Sequence, residues 1–101
     1  MELKELEQRM HQFVASKGWY EAGSPKEQSP RNLAVSLCIE AAEVLEHFQW
    51  QAIPAEKGEL AGELADVALY LLQLASILDI DLETAILDKL AYNQTREWPA
   101  K

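Results

Sequence analysis

LCIEAAEVLEHF at residues 37–48 and LAGELADVALYL at residues 60–71 present one pattern twice, an apolar helical stripe carrying two carboxylates three residues apart. At about 100° per residue, Leu37, Ala41, Val44, Leu45 and Phe48 gather on one face, with Glu40 and Glu43 along its flank. Leu60, Leu64, Val67, Ala68 and Leu71 form the matching stripe, and Glu63 and Asp66 take the same flank. Pro54 cannot lie inside a helix. The first copy therefore ends near Trp50, the second starts near Ala55 or Glu56, and the two form an antiparallel hairpin. Glu43 then stands about 7 residues before the turn and Glu63 about 8 after it, roughly 10–12 Å along each axis. This register brings all four acids to one level.

Four carboxylates beside an apolar stripe repel one another and are costly to desolvate unless a cation compensates them. Oxygen-only ligands suit a hard divalent ion, Mg²⁺ or Mn²⁺, and positions left for water or phosphate suit chemistry. A single ExxE is an ordinary solvated helix face. The duplication, in register across a hairpin, points to a metal site.

The 101 residues suffice for one domain, read here as residues 1–101, with a modest core. A net charge of −8 excludes a broad basic face for nucleic acid or an anionic membrane. Cys38, alone of its type, excludes an intramolecular disulfide, suits a reducing cytoplasm and reads as a small buried apolar residue. The segment Met1 to Met10 is charged and amphipathic, unlike a signal sequence. The apolar run Val67 to Leu78 is too short to span a bilayer.

Leu3, Leu6, Met10, Phe13 and Val14 recur at helical spacing, which predicts a first helix over 2–17 closed by Gly18. Trp19 to Pro30 is a loop rich in Gly, Ser, Pro, Glu and Gln, and Trp19 at its edge reads as a lid on the core or a ligand contact. Ser29 followed by Pro30 marks a helix start. The pattern predicts helices over 30–50, 55–79 and, capped by Asp81, 82–97. Gly62 within the third suggests close backbone approach. Lys89, Asn93 and Arg96 share one face of the fourth helix and are either solvated polar residues or a phosphate clamp. The apolar surface of the third helix extends almost all round, which predicts at least a homodimer.

The motifs Glu40-Ala-Ala-Glu43 and Glu63-Leu-Ala-Asp66 are accompanied by Gly18-Trp19, Ser29-Pro30-Arg31-Asn32-Leu33, His47-Phe48-Gln49-Trp50 and the run from Lys89 to Pro99. In this order they resemble the all-α nucleotide pyrophosphohydrolases of the MazG-like superfamily, in the branch containing the dCTP pyrophosphatases. The resemblance covers residues 10–99. It implies a four-helix, all-α chain assembled as a helical-bundle homotetramer or dimer of dimers. It also implies Mg²⁺-dependent hydrolysis of a nucleoside triphosphate to the monophosphate and pyrophosphate, with dCTP-like substrates favoured. By the same resemblance Glu40, Glu43, Glu63 and Asp66 are metal ligands, and Trp19 and Trp50 line the base pocket. Tyr70 lies beside the sugar or phosphates, Lys89, Asn93 and Arg96 hold the phosphate tail, and the resemblance allows residues of the fourth helix to serve a neighbouring subunit's site. Two departures from the pattern stand out: the loop after Trp19 is longer than in dCTP-preferring relatives, and Ile39 occupies a place where the MazG-type motif often has a further acid.

The chemistry this implies is attack of water on the α-phosphorus, with Glu43, and Glu40 beside it, as the catalytic carboxylates that orient or deprotonate the water. His47, on the same face, reads as a polar boundary residue. A di-iron bundle would require Glu-x-x-His pairs, and neither copy has a histidine three residues after an acid. The non-enzymatic alternative is a helical interaction module with a structural acidic metal site.

Overall fold

In the computed structural model, residues 1–54 and 56–99 are described and contain four helices and no strand: α1 (Leu3–Ser16), α2 (Pro30–Glu46), α3 (Lys57–Ile77) and α4 (Leu82–Thr95). This is the all-α fold expected from the sequence. The expected third-helix start at Ala55, and the last two residues of the expected domain, lie outside the described residues.

The helix boundaries follow from local chemistry. The Ser29 hydroxyl accepts from the Asn32 amide and Pro30 occupies the first turn of α2, where a missing N–H costs nothing. The Asp81 carboxylate accepts from the Thr84 amide and starts α4 as predicted. Gly18, at φ 73°, closes α1 in the left-handed region open to glycine, and Trp19 N–H then returns to the Val14 carbonyl. Trp19 is thereby turned back over the helix it leaves. Asp79, at φ 59°, makes the same kind of closure for α3, with Ile80 N–H donating to the Ala75 carbonyl at 2.8 Å.

α3 is the hub, packing against α2 along most of its length and against α1 and α4. By length and composition alone its 21 residues could cross a bilayer, a weak signal that the central helix of a bundle also gives. Here it is the central helix of a small bundle and carries Glu63 and Asp66 in its body. Met10, Val14 and Leu72 form the buried core between α1 and α3, and Leu3, Trp19 and Leu82 pack around them.

The seam between α2 and α3 differs from the one the stripes predicted. The covered positions of α2 include Leu33, Ser36, Leu37, Glu40, Glu43 and Val44, with His47 just past its end; those of α3 include Leu60, Glu63, Val67, Tyr70, Leu74 and Ile77. Both sets follow three-and-four spacing. Ala41, Leu45, Phe48, Leu64, Ala68 and Leu71, assigned to the apolar stripes, are exposed, Leu45 by 70%. Three of the four acids therefore sit inside the seam and not on its flank: Leu64 is turned about 100° from Glu63, and Leu45 about 140–160° from Glu40 and Glu43.

Other expectations change for related reasons. α2 ends at Glu46, four residues early, where His47, Phe48 and Gln49 N–H bond to carbonyls three residues back. Phe48 and Trp50 have little to pack on there, so no burial extends the helix. Cys38 is exposed, since it points one residue off the seam that Leu37 joins. A Cβ on Gly62 would meet nothing within 4 Å, so no close backbone approach within the chain explains it.

Leu33, 1% exposed, is the most deeply buried side chain of α2. Leu33→Ala should lower the unfolding free energy by about 3 kcal/mol in urea denaturation; a change below about 0.5 kcal/mol would contradict this seating of α2.

Candidate metal centre and adjoining cavity

Glu40 and Glu43 lie one turn apart on α2, and Glu63 faces them from α3. Each can offer a carboxylate oxygen within 4.8 Å of the other two. Glu40 Oε2 and Glu63 Oε2 are buried and have no hydrogen-bond partner among the described residues. Burying unpartnered charged oxygens is strongly unfavourable. His47 Nε2 lies 3.6 Å from Glu63 Oε1, which leaves the opposite oxygen of that carboxylate unpaired.

The electrostatics show the same tension. Desolvation raises the Glu40 pKa above the ordinary 4.5, followed by sharing of a proton with Glu43 and the negative charges of Glu43, Asp66 and Glu63. Desolvation also raises Glu63, with Glu43 adding to it and His47 opposing it. An all-oxygen, electron-rich donor set with two orphaned oxygens fits a hard divalent cation. Glu40, Glu43 and Glu63 are the residues able to hold it. Asp66 is exposed and outside this trio, one turn along α3, where it lines the neighbouring cavity.

That cavity, of about 480 Å³, lies between α1, the loop after it, the start of α2 and the middle of α3. Met10, Val14 and Leu33 supply apolar lining, while Trp19, Tyr70 and Asp66 also face it. The size and mixed lining suit a small organic ligand. Trp19 is held edge-on by Phe13, with the Lys26 ammonium 4.9 Å from its ring centroid. Asn32 Nδ2 donates to the Glu27 carbonyl and ties the loop to α2.

The remaining candidates stand elsewhere. Trp50 is 88% exposed beyond the end of α2 and does not line this cavity. Lys89 lies over the Tyr92 ring, and Arg96 stacks 3.7 Å from the Trp98 centroid. Asn93 Oδ1 is buried without a partner among the described residues. Lys89 and Asn93 of α4, and Arg96 in extended backbone just past its end, short of the expected end at 97, are not brought to the cavity within one chain.

The cavity also contains residues that the sequence reading did not select. Gln73, 3% exposed, donates to Gln28 Oε1 at 2.7 Å and to the Tyr20 hydroxyl at 3.2 Å. Tyr20 in turn meets His11 Nδ1 at 2.5 Å, and His11 Nε2 meets Ser76 Oγ at 2.7 Å. Burial raises the Tyr20 pKa, only partly offset by Gln73. The available signal was a glutamine within an otherwise apolar helical run, a polar group that must find partners there.

The raised carboxylate pKa values set a pH dependence. Between the ordinary glutamate value and the raised folded values, the folded state binds more protons than the unfolded one, so metal-free stability is fullest below that window and falls as pH rises through it. Metal-free thermal melts should show this decline above about pH 4.5, and Glu40→Gln should flatten it. A melting temperature that climbs over the same interval in both proteins would contradict the assignment.

Comparison with known proteins extends these findings. The MazG-like family matches residues 35–101. Human dCTP pyrophosphatase 1 is 35% identical over 102 residues, covering 91% of this chain and 56% of the human protein. The chain thus spans about half the length of the curated mammalian relatives it matches. A dATP/dGTP diphosphohydrolase of Salmonella phage PMBT28 is 50% identical over 38 residues, 38% of this chain and 13% of the phage protein. The crystal structure of a pyrophosphatase from Archaeoglobus fulgidus superposes with a TM-score of 0.80 at 37% identity, covering 97% of this chain and 93% of that one. With the matched segment running from within α2 through the acidic hairpin to the end of α4, the chain belongs to the MazG-like family.

Proposed function

We propose that this protein is a Mg²⁺-dependent nucleoside triphosphate pyrophosphohydrolase, converting an NTP or dNTP and water to the monophosphate and pyrophosphate. The observation that carries this reading is the convergence of Glu40, Glu43 and Glu63, with two orphaned oxygens, beside a ligand-sized cavity reached by Asp66. The names of the human, phage and archaeal relatives support the reaction class, and the human name favours dCTP-like substrates.

Glu40, Glu43, Glu63 and Asp66 form the metal-binding set in this reading, with Mn²⁺ as an alternative ion. When bound, the divalent ion neutralises phosphate oxygens and the charge of the departing pyrophosphate. Glu43, placed between Glu40 and Glu63, orients a water molecule and takes its proton as the oxygen attacks the α-phosphorus. The electron pair of the broken phosphorus–oxygen bond leaves with pyrophosphate. Trp19 stacks on the base and Tyr70 flanks the sugar, both from the cavity wall.

Residues 1–101 act in this proposal as one domain within a cytoplasmic homo-oligomer, a dimer or tetramer. The exposed apolar side chains of α2, α3 and α4 support assembly, among them Ile39, Leu45, Leu64, Leu87 and Leu90. In such an assembly Trp50, Lys89, Asn93 and Arg96 serve a neighbouring subunit's site, the last three on the phosphate tail.

The test is pyrophosphate release from a panel of ribo- and deoxyribonucleoside triphosphates with Mg²⁺ or with EDTA. The reading predicts monophosphate and pyrophosphate in the Mg²⁺ arm alone, fastest with a dCTP-like member. Glu40→Gln and Glu63→Gln should each reduce turnover at least about 100-fold while remaining folded by circular dichroism. Full activity in either variant, or inactivity of the native protein towards every member, would refute it.

A further inference from the structure

The amide chain at the cavity wall has a fixed polarity. The Lys26 carbonyl can only accept, so Gln28 must turn its NH₂ group towards it, at 2.7 Å. Gln28 Oε1 then faces Gln73 and accepts from Gln73 Nε2, whose second hydrogen goes to the Tyr20 hydroxyl. Flipping either amide would set oxygen against oxygen. Two hydrogen-bonding valences remain: Gln73 Oε1, with no partner among the described residues, and one N–H of Gln28. Both residues line the cavity, and Gln73 is more than nine-tenths buried.

Position supports a ligand role. Gln73 lies seven residues beyond Asp66 on α3, about 10 Å along the axis, with Tyr70 between them on the cavity wall. A nucleoside whose phosphates lie at the acidic end would direct its base towards Gln73.

We propose that Gln73 and Gln28 read the edge of the nucleobase, Gln73 Oε1 accepting an N–H of the base and Gln28 donating to the adjacent acceptor. The proposal rests on reading the cavity as a nucleotide site. The ligand class is a base with an N–H beside an acceptor, as cytosine and adenine present through an exocyclic amine and its neighbouring ring nitrogen. A base that offers acceptors alone leaves Gln73 Oε1 without a donor at that edge.

The test uses nucleosides, so that it is independent of metal and turnover. NMR titrations of the native protein in EDTA compare cytidine with its 4-deamino analogue, and adenosine with purine riboside. At least one parent nucleoside should bind at least about tenfold more tightly than its deamino partner. That ratio should collapse towards one in Gln73→Leu, and Gln28→Leu, altering a half-buried loop residue, should weaken the same parent nucleoside and reduce the ratio. A network that only pins the loop to α3 would weaken parent and analogue equally and leave the ratio intact. Equal binding of both pairs by the native protein, no binding of any of the four, or a native ratio in folded variants would overturn the proposal. Selective nucleoside binding without hydrolysis of any triphosphate would sustain the base reader and refute the pyrophosphohydrolase reading; hydrolysis without selectivity would do the reverse.

Discussion

Carboxylates packed against carboxylates are the constraint on which this structure turns. Glu40, Glu43 and Glu63 occupy the seam between α2 and α3, at positions where helical pairs ordinarily place Leu or Val. The chain places His47 beside Glu63, but leaves Glu40 Oε2 and Glu63 Oε2 without partners among the described residues. Such a seam is a poor way to gain stability and a good way to hold a cation, because the repulsion that opposes folding becomes attraction when positive charge enters. The stable part of the bundle lies beyond it, in the Met10, Val14 and Leu72 core and the buried Leu33.

The same choice explains where the apolar surface went. With acids on the inward face of α2 and α3, Ile39, Leu45, Leu64 and Leu71 are left outside. α4 has no buried residue and meets only α3 among the principal helix contacts. Exposed apolar surface on this scale is the physical basis of the homo-oligomer proposed above.

Much of this was legible in residue spacing. Capping residues Ser29 and Asp81, and the break at Gly18, marked three boundaries because each acts through its nearest backbone neighbours. The duplicated acidic pattern located the metal-binding candidates, since i,i+3 spacing brings side chains together whatever surrounds the helix. The facing of the hairpin was not legible. Apolar periodicity reports where apolar side chains gather, and here Leu45, Leu64 and Leu71 are exposed while the acids face the seam. Nor did the sequence place Gln73, whose role depends on Gln28 and Tyr20 approaching from 45 and 53 residues away. Local pattern likewise did not show that Trp50 and α4 stand away from the cavity within one chain.

The central claim is that the α2–α3 seam holds a divalent cation. Calorimetric titration of Mn²⁺ into the metal-free native protein near pH 6, repeated in two buffers of different ionisation enthalpy, tests it most directly. The account predicts saturable binding that is lost in Glu63→Gln, any protons exchanged being released and not taken up, because a cation favours the ionised form of carboxylates whose pKa is raised. Absence of binding to the folded native protein, or unchanged binding in Glu63→Gln, would contradict it.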